Sequence, residues 1–111
     1  MLRGKSNCSS LFPFMPLATL TIQLRIEHAH SLKDRRQVVR SLKDRLRHGF
    51  NISVAELDEA VTWQSAVIGV AAISGSRSYL EGQMQQVEAA AQRIVTDLSA
   101  EIVDSWCEFV D

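Results

Sequence analysis

Residues 31–50 read SLKDRRQVVRSLKDRLRHGF, and the fold turns on how this stretch is read. Leu32, Val39, Leu42 and Leu46, with Val38 at the edge, recur at helical spacing and form one apolar face that must lie on another layer. Ser31 followed by Asp34 makes an approximate capping box. The hydroxyl can accept a free N–H of the first turn, and the acid suits the positive end of the helix. Gly49 supplies the stop. The same helix carries seven of the twelve Lys and Arg residues. Arg36, Arg40, Lys43 and Arg47 fall on a stripe beside the apolar face at spacings of four, three and four, and Lys33 joins the same basic set. Asp44 is within reach of Arg40 for an i,i+4 pair. Arg35 is the exception, because its angle points it towards the apolar side, where it needs an acid from another element, Glu27 or Glu56.

Outward from this helix, residues 18–27 alternate Leu20, Ile22, Leu24 and Ile26 with polar partners, the period of a half-buried strand. Residues 50–57 predict a second strand with Ile52 and Val54 on one side, polar enough for an edge. After the acidic connection at Asp58 and Glu59, residues 63–74 are apolar on both phases and predict a central strand covered on both sides. Leu80, Met84, Val87, Ala91, Ile94 and Leu98 mark a second helix over residues 77–98. Residues 101–110 predict a last strand, with Val103, Cys107 and Phe109 on one side and Ile102, Trp106 and Val110 on the other. The order βαββαβ is that of an α+β, ferredoxin-like split βαβ fold: a four-stranded antiparallel sheet with two helices on one face. Right-handed crossovers put the first and third strands in the centre. Residues 17–111 then form a single domain, and residues 1–16 read as a flexible N-terminal extension.

The bare face of such a sheet carries more apolar surface than water tolerates, including the second phase of the third strand and Trp106 or Ile102. This predicts a homodimer through the open sheet face. A chain of 111 residues with 46% hydrophobic content supports one modest core. Its net charge of −1 conceals a division: residues 1–48 hold ten Lys and Arg against three acids, and residues 49–111 hold two against ten. No run of about 20 apolar residues predicts a membrane span, and Cys8 and Cys107 form no disulfide framework, so a reducing cytoplasmic compartment is expected.

Catalytic signatures are weak. His28 and His30 flank Ala29 ahead of the helix, and with Glu56 and Asp58 they are the one set from which a metal-dependent enzyme could be assembled, although the spacing alone does not specify a metal. Ser31, a loop histidine and Asp58 do not read as a nucleophilic set, since Ser31 is accounted for as a cap. No glycine-rich phosphate loop or nucleophile elbow is present; Gly69 and Gly75 read as packing or turn residues. Cys107, beside Trp106, reads as a small buried thiol. Nothing calls for a cofactor. The basic stripe can engage phosphates, but the aromatic-studded sheet of RNA-recognition domains is absent.

Residues 31–57 together with WQSAVIGVAAIS at 63–74 closely resemble the YlxP-like family of small bacterial proteins of uncharacterised function. The matching positions are Ser31 to Arg36, Ser41 to Lys43 with Arg45, Phe50, Asn51, Ser53 to Glu56, Trp63 and Gln64, and the resemblance extends over residues 17–110. It implies a ferredoxin-like architecture. Because genes of the family often lie among those for transcription elongation, translation initiation and ribosome maturation, it also implies a role around RNA or the ribosome. No catalytic role comes with it. The expectation is a non-enzymatic accessory protein binding RNA or the ribosome through Lys33, Arg36, Arg40, Lys43 and Arg47, with a dimerising sheet face. The alternatives are a homodimeric protein-interaction module without nucleic-acid contact, and a metal-dependent enzyme using the His28/His30 loop.

Overall fold

The computed structural model describes residues 15–58 and 62–110; of the expected extension at residues 1–16, residues 1–14 lie outside them. The elements are β1 (Leu17–Arg25), α1 (Leu32–Gly49), β2 (Ser53–Glu56), β3 (Ser65–Ile73), α2 (Arg77–Asp97) and β4 (Glu101–Val110). The strands form one sheet in the order β2-β3-β1-β4. All three pairings are antiparallel, so the expected architecture and the central placing of β1 and β3 hold.

Period-two alternation in β1 turns Ala18, Leu20, Ile22 and Leu24 towards the helices, with Ala66, Ile68, Val70 and Ala72 of β3 beside them, all buried. Onto this layer α1 lays Val38, Val39, Leu42 and Leu46, and α2 lays Leu80, Met84, Val87, Ala91, Ile94 and Val95. Each fully buried Leu or Ile contributes about 1.5–3 kcal/mol. Leu32, at the start of the expected apolar face, is instead 39% exposed, because it sits in the first turn beyond the packed interface.

The cap of α1 is more complete than a single bond. Ser31 Oγ accepts from the N–H of Asp34 at 3.1 Å, and Asp34 Oδ2 accepts from the N–H of His30 at 2.9 Å. At the far end of α2, the N–H of Ala100 donates to Val95 O at 2.9 Å and that of Ser99 to Thr96 O at 3.0 Å, the pattern of a Schellman stop. The position that such a stop reserves for glycine is held by Ser99, at φ 60°. Replacing Ser99 with Gly is therefore expected to raise stability by about 1 kcal/mol, read as a higher urea midpoint with an unchanged slope.

Two expected strands are longer in the sequence reading than in the fold. Phe50 caps α1 and β2 runs only from Ser53 to Glu56, while Trp63 precedes β3 and is 46% exposed. The expected faces of β4 also need correction. Gln23 lies opposite Asp104 but Leu24 lies opposite Ile102, so Val103 is an extra residue, a β-bulge. The bulge shifts the phase. Ile102, Cys107 and Phe109 lie opposite Leu24, Leu20 and Ala18 on the helix side, whereas Trp106 and Val110 lie opposite Thr21 and Leu17 on the bare side. Val103 is 50% exposed.

The second phase of β3 is not covered by another layer of the described chain. Val67, Gly69 and Ala71 are half-buried and Ile73 is 62% exposed. Leu57 folds across the β2 end of this face. A Cβ on Gly69 would come within 2.7 Å of Leu57 Cδ1, so the glycine makes room for that side chain. With Thr19, Thr21, Ala55 and Ala71, the pair lines a shallow, mostly apolar depression of about 240 Å3.

Candidate functional site

Arg35 sits at the N-terminal end of the buried face of α1, 1% exposed, and all three nitrogens of its guanidinium are engaged. Nε donates to the Ser65 carbonyl at 2.9 Å, one terminal nitrogen donates to Glu56, and the other donates to both Asp58 oxygens at 3.1 Å. Asp58 Oδ1 also accepts from the N–H of Val67 at 3.1 Å. One cation therefore ties the first turn of α1 to the end of β2, the following loop and the start of β3. Of the two acids offered by the sequence, Glu56 is the partner; Glu27 lies 4.0 Å from Arg25. Asp58, read as part of a connection, is the second partner.

Anchored this way, α1 turns its basic stripe outward. Lys33, Arg36, Arg40 and Arg47 are exposed and Lys43 is half-buried. Asp44 pairs with Arg47 at 3.2 Å, not with Arg40 as expected, because the i,i+3 geometry brings the carboxylate to the later turn. Among the described residues, no carboxylate pairs with Lys33, Arg36, Arg40 or Lys43. Arg45, outside the expected basic set, bridges to Asp97 of α2 at 3.1 Å. That bridge marks the helix–helix side of α1. On a helix of 3.6 residues per turn the stripe lies about 160° round from it, over the β2 edge. The opposite edge is acidic: β4 carries Glu101, Asp104 and Glu108. The division of charge along the sequence has become a division between two flanks of one small domain.

The other candidates are engaged or isolated. His28 Nε2 lies 3.1 Å from the carbonyl oxygen of Leu98, which can only accept, so the loop is tied to the C-terminal end of α2. His30 contributes its backbone N–H to the α1 cap. Among the described residues, no three His, Cys, Asp or Glu side chains gather to hold a metal ion. Cys107 is exposed, against expectation, because β4 is an edge strand. Its surroundings still shield the sulfur enough that desolvation, then the charges of Glu88 and Glu108, push the thiol up from its ordinary value. That direction disfavours the reactive thiolate. Among the described residues, no helix is long and apolar enough to cross a membrane.

One residue that the sequence reading passed over is Gln83, a buried amide on the core-facing stripe of α2 between Leu80 and Val87. Its only signal is a polar residue at an apolar position.

Residues 17–105 match the family described as "Protein of unknown function (DUF503)". Over 64 residues the chain is 39% identical to the uncharacterised protein YlxP of Bacillus subtilis (strain 168), covering 58% of this chain and 70% of that protein. Among solved structures, a dimeric protein of unknown function and ferredoxin-like fold from Bacteroides fragilis is similar with a TM-score of 0.60 and 13% identity, over 87% of this chain and 95% of that one. The cofactor-independent oxygenase SnoaB from Streptomyces nogalater is similar with a TM-score of 0.52 and 10% identity, over 86% and 91%. Such likenesses carry the fold and leave the function to the residues of the site.

Proposed function

Since the chain belongs to the YlxP-like family of proteins of unknown function (DUF503), its activity must be read from its own surface, and we propose that it is a non-enzymatic, cytoplasmic accessory protein that binds RNA, alone or in the ribosome, through α1. The observation that carries this reading is the row of Lys33, Arg36, Arg40 and Lys43, none with a carboxylate partner among the described residues, beside Arg47, whose only acid is the exposed Asp44. Packing does not use these cations. Arg35 anchors the helix and Arg45 joins the two helices, so the stripe is surplus to the fold. A surface pair such as Arg47–Asp44 is worth about 0–1 kcal/mol and yields readily to a phosphate. The acidic flank at β4 repels the same polyanion and so sets which side of the domain faces it. The test is co-sedimentation of the full chain with ribosomal subunits, together with retention of labelled RNA, at about 50 mM salt. Retention that disappears as salt rises is expected; no retention at low salt refutes the reading.

A separate observation favours a second copy of the chain as the partner of the open sheet face. Across four strands this face presents Ala55, Leu57, Gly69, Ala71, Thr21 and Trp106, with Ile73 and Val110 exposed at one end. The same face also carries Thr19, Gln23, Arg25, Asp104 and Glu108, so its apolar part is a patch rather than the whole surface, and such a patch suits an isologous contact. Trp106→Glu puts a charge beside Thr21 on the β4 side of this face. Sedimentation equilibrium at low micromolar concentration is expected to show a dimer for the wild type and a monomer for Trp106→Glu; a strictly monomeric wild type removes the dimer without touching the RNA reading.

A further inference from the structure

The two helices are antiparallel and offset. Arg45 meets Asp97, the last residue of α2, and Gly49 shares a depression with Ala90 and Arg93, so α1 ends beside the C-terminal half of α2 and leaves the first turns of α2 overhanging. Beneath that overhang is a cavity of about 400 Å3, within the range of small-ligand sites. It is lined by Phe50, Asn51, Ser78, Tyr79, Gln83 and Gln86. Gly49 and Gly82 also border it, and a Cβ on either would meet nothing within 4 Å, so the space beside them is open.

Gln83 is the anomaly of this cavity. The residue is only 9% exposed, yet among the described residues no donor or acceptor meets its carboxamide. A buried amide without a partner destabilises the fold, and a leucine would fill the same apolar stripe at no such cost. The lining also contains no carboxylate, ammonium, guanidinium or imidazole. A phosphate or carboxylate would find no counter-charge there. What fits is a neutral planar group whose edge offers a donor and an acceptor side by side, as the carboxamide does. Tyr79, 60% exposed at the rim, adds a ring face for stacking, and Asn51 and Gln86 add further amides.

We propose that this cavity is a nucleobase pocket, with Gln83 pairing to the base edge and Tyr79 stacking on its face. In its RNA-bound form the inference rests on the reading of α1 given above: Gly49 follows Arg47 by two residues, so a single strand whose phosphates track the stripe can lay one splayed base at the end of the helix. A free nucleoside presents the same chemistry.

Labelled eight-nucleotide homopolymers of A, C, G and U, titrated against the full chain and its Gln83→Leu form at one salt concentration, separate these cases. The wild type is expected to prefer one base by about tenfold, the size of one good paired edge. Gln83→Leu is expected to erase that preference, leave the salt dependence unchanged and raise the melting temperature, a combination that a purely structural glutamine would not give. Gln83→Glu, of the same shape, should lose the preference as well. In parallel, each of the four nucleosides is added to the labelled protein, and shifts of the Gln83 side-chain and Tyr79 backbone resonances are followed by NMR. Equal binding of all four homopolymers, or an unchanged preference in Gln83→Leu, overturns the pocket and leaves the stripe intact. Nucleoside-induced shifts in a chain that binds no RNA overturn the stripe, keep the pocket and identify a free nucleoside as its ligand. Neither binding nor shifts overturns both.

Discussion

Replacing Arg35 with Leu should cost the domain about 3–5 kcal/mol, because it strands the Glu56 and Asp58 carboxylates at less than a third exposure with their shared cation gone. Small domains have about 5–15 kcal/mol in total, so the variant is expected to be largely unfolded at modest urea concentrations. Arg35→Lys should recover only part of the loss. A single ammonium cannot reach Glu56, both Asp58 oxygens and the Ser65 carbonyl in one geometry. The diagnostic is the triple variant Arg35→Leu, Glu56→Gln, Asp58→Asn. With both acids neutralised, most of the lost stability should return, since the damage lies in the orphaned charges more than in a missing attraction. A triple variant as unstable as Arg35→Leu would mean that the cluster is not the electrostatic pin of α1.

Neutralising Arg36, Arg40, Lys43 and Arg47 to Gln should leave the melting temperature within a few degrees of the wild type and weaken RNA binding by about 100- to 1000-fold at 50 mM salt. The stability expectation follows from exposure: three of the four are exposed, Lys43 is half-buried, and the only pair lost is the surface contact of Arg47 with Asp44. The binding expectation follows from counterion release. Four phosphate contacts on a single strand give a slope of log affinity against log salt of about −3. Removing those contacts removes that whole contribution. The two variants thus act in opposite ways: Arg35 decides whether α1 is held in place, and the stripe decides what the held helix can bind.

The frame of this account is readable in the sequence because its signals are local. Leu20, Ile22, Leu24 and Ile26 alternate in β1, Ser31 caps α1, and the apolar stripes of α1 and α2 repeat at 3.6 residues. Arg35 stands out by its angle alone, since it falls among Val38, Leu42 and Leu46. Its second acid does not, because the position of Asp58 depends on how the chain leaves β2. In β4 the grouping of Cys107 with Phe109 and of Trp106 with Val110 holds, but Ile102 and Val103 are misread for a similar reason. A bulge at Val103 inserts one residue that no period-two pattern reveals, and every side chain before it changes side. Cys107 is misread for a different reason, since the expected central placing of β1 and β3 already leaves β4 at an edge, where even a helix-side thiol stays exposed. Gln83 is visible in the sequence but not interpretable there, because the cavity beside it exists only where α1 stops short of α2.

The most direct measurement of the central claim is RNA affinity across a salt series from about 50 to 200 mM, for the wild type and the four-residue neutralised chain. The account predicts that wild-type affinity falls at least about 50-fold across that range, with a slope of about −3 or steeper, and that neutralising the four cations flattens the slope by about 3, leaving only the contribution of Lys33, while the melting curve stays in place. A wild type that binds no RNA at 50 mM salt, or a neutralised chain with the wild-type slope, would contradict it.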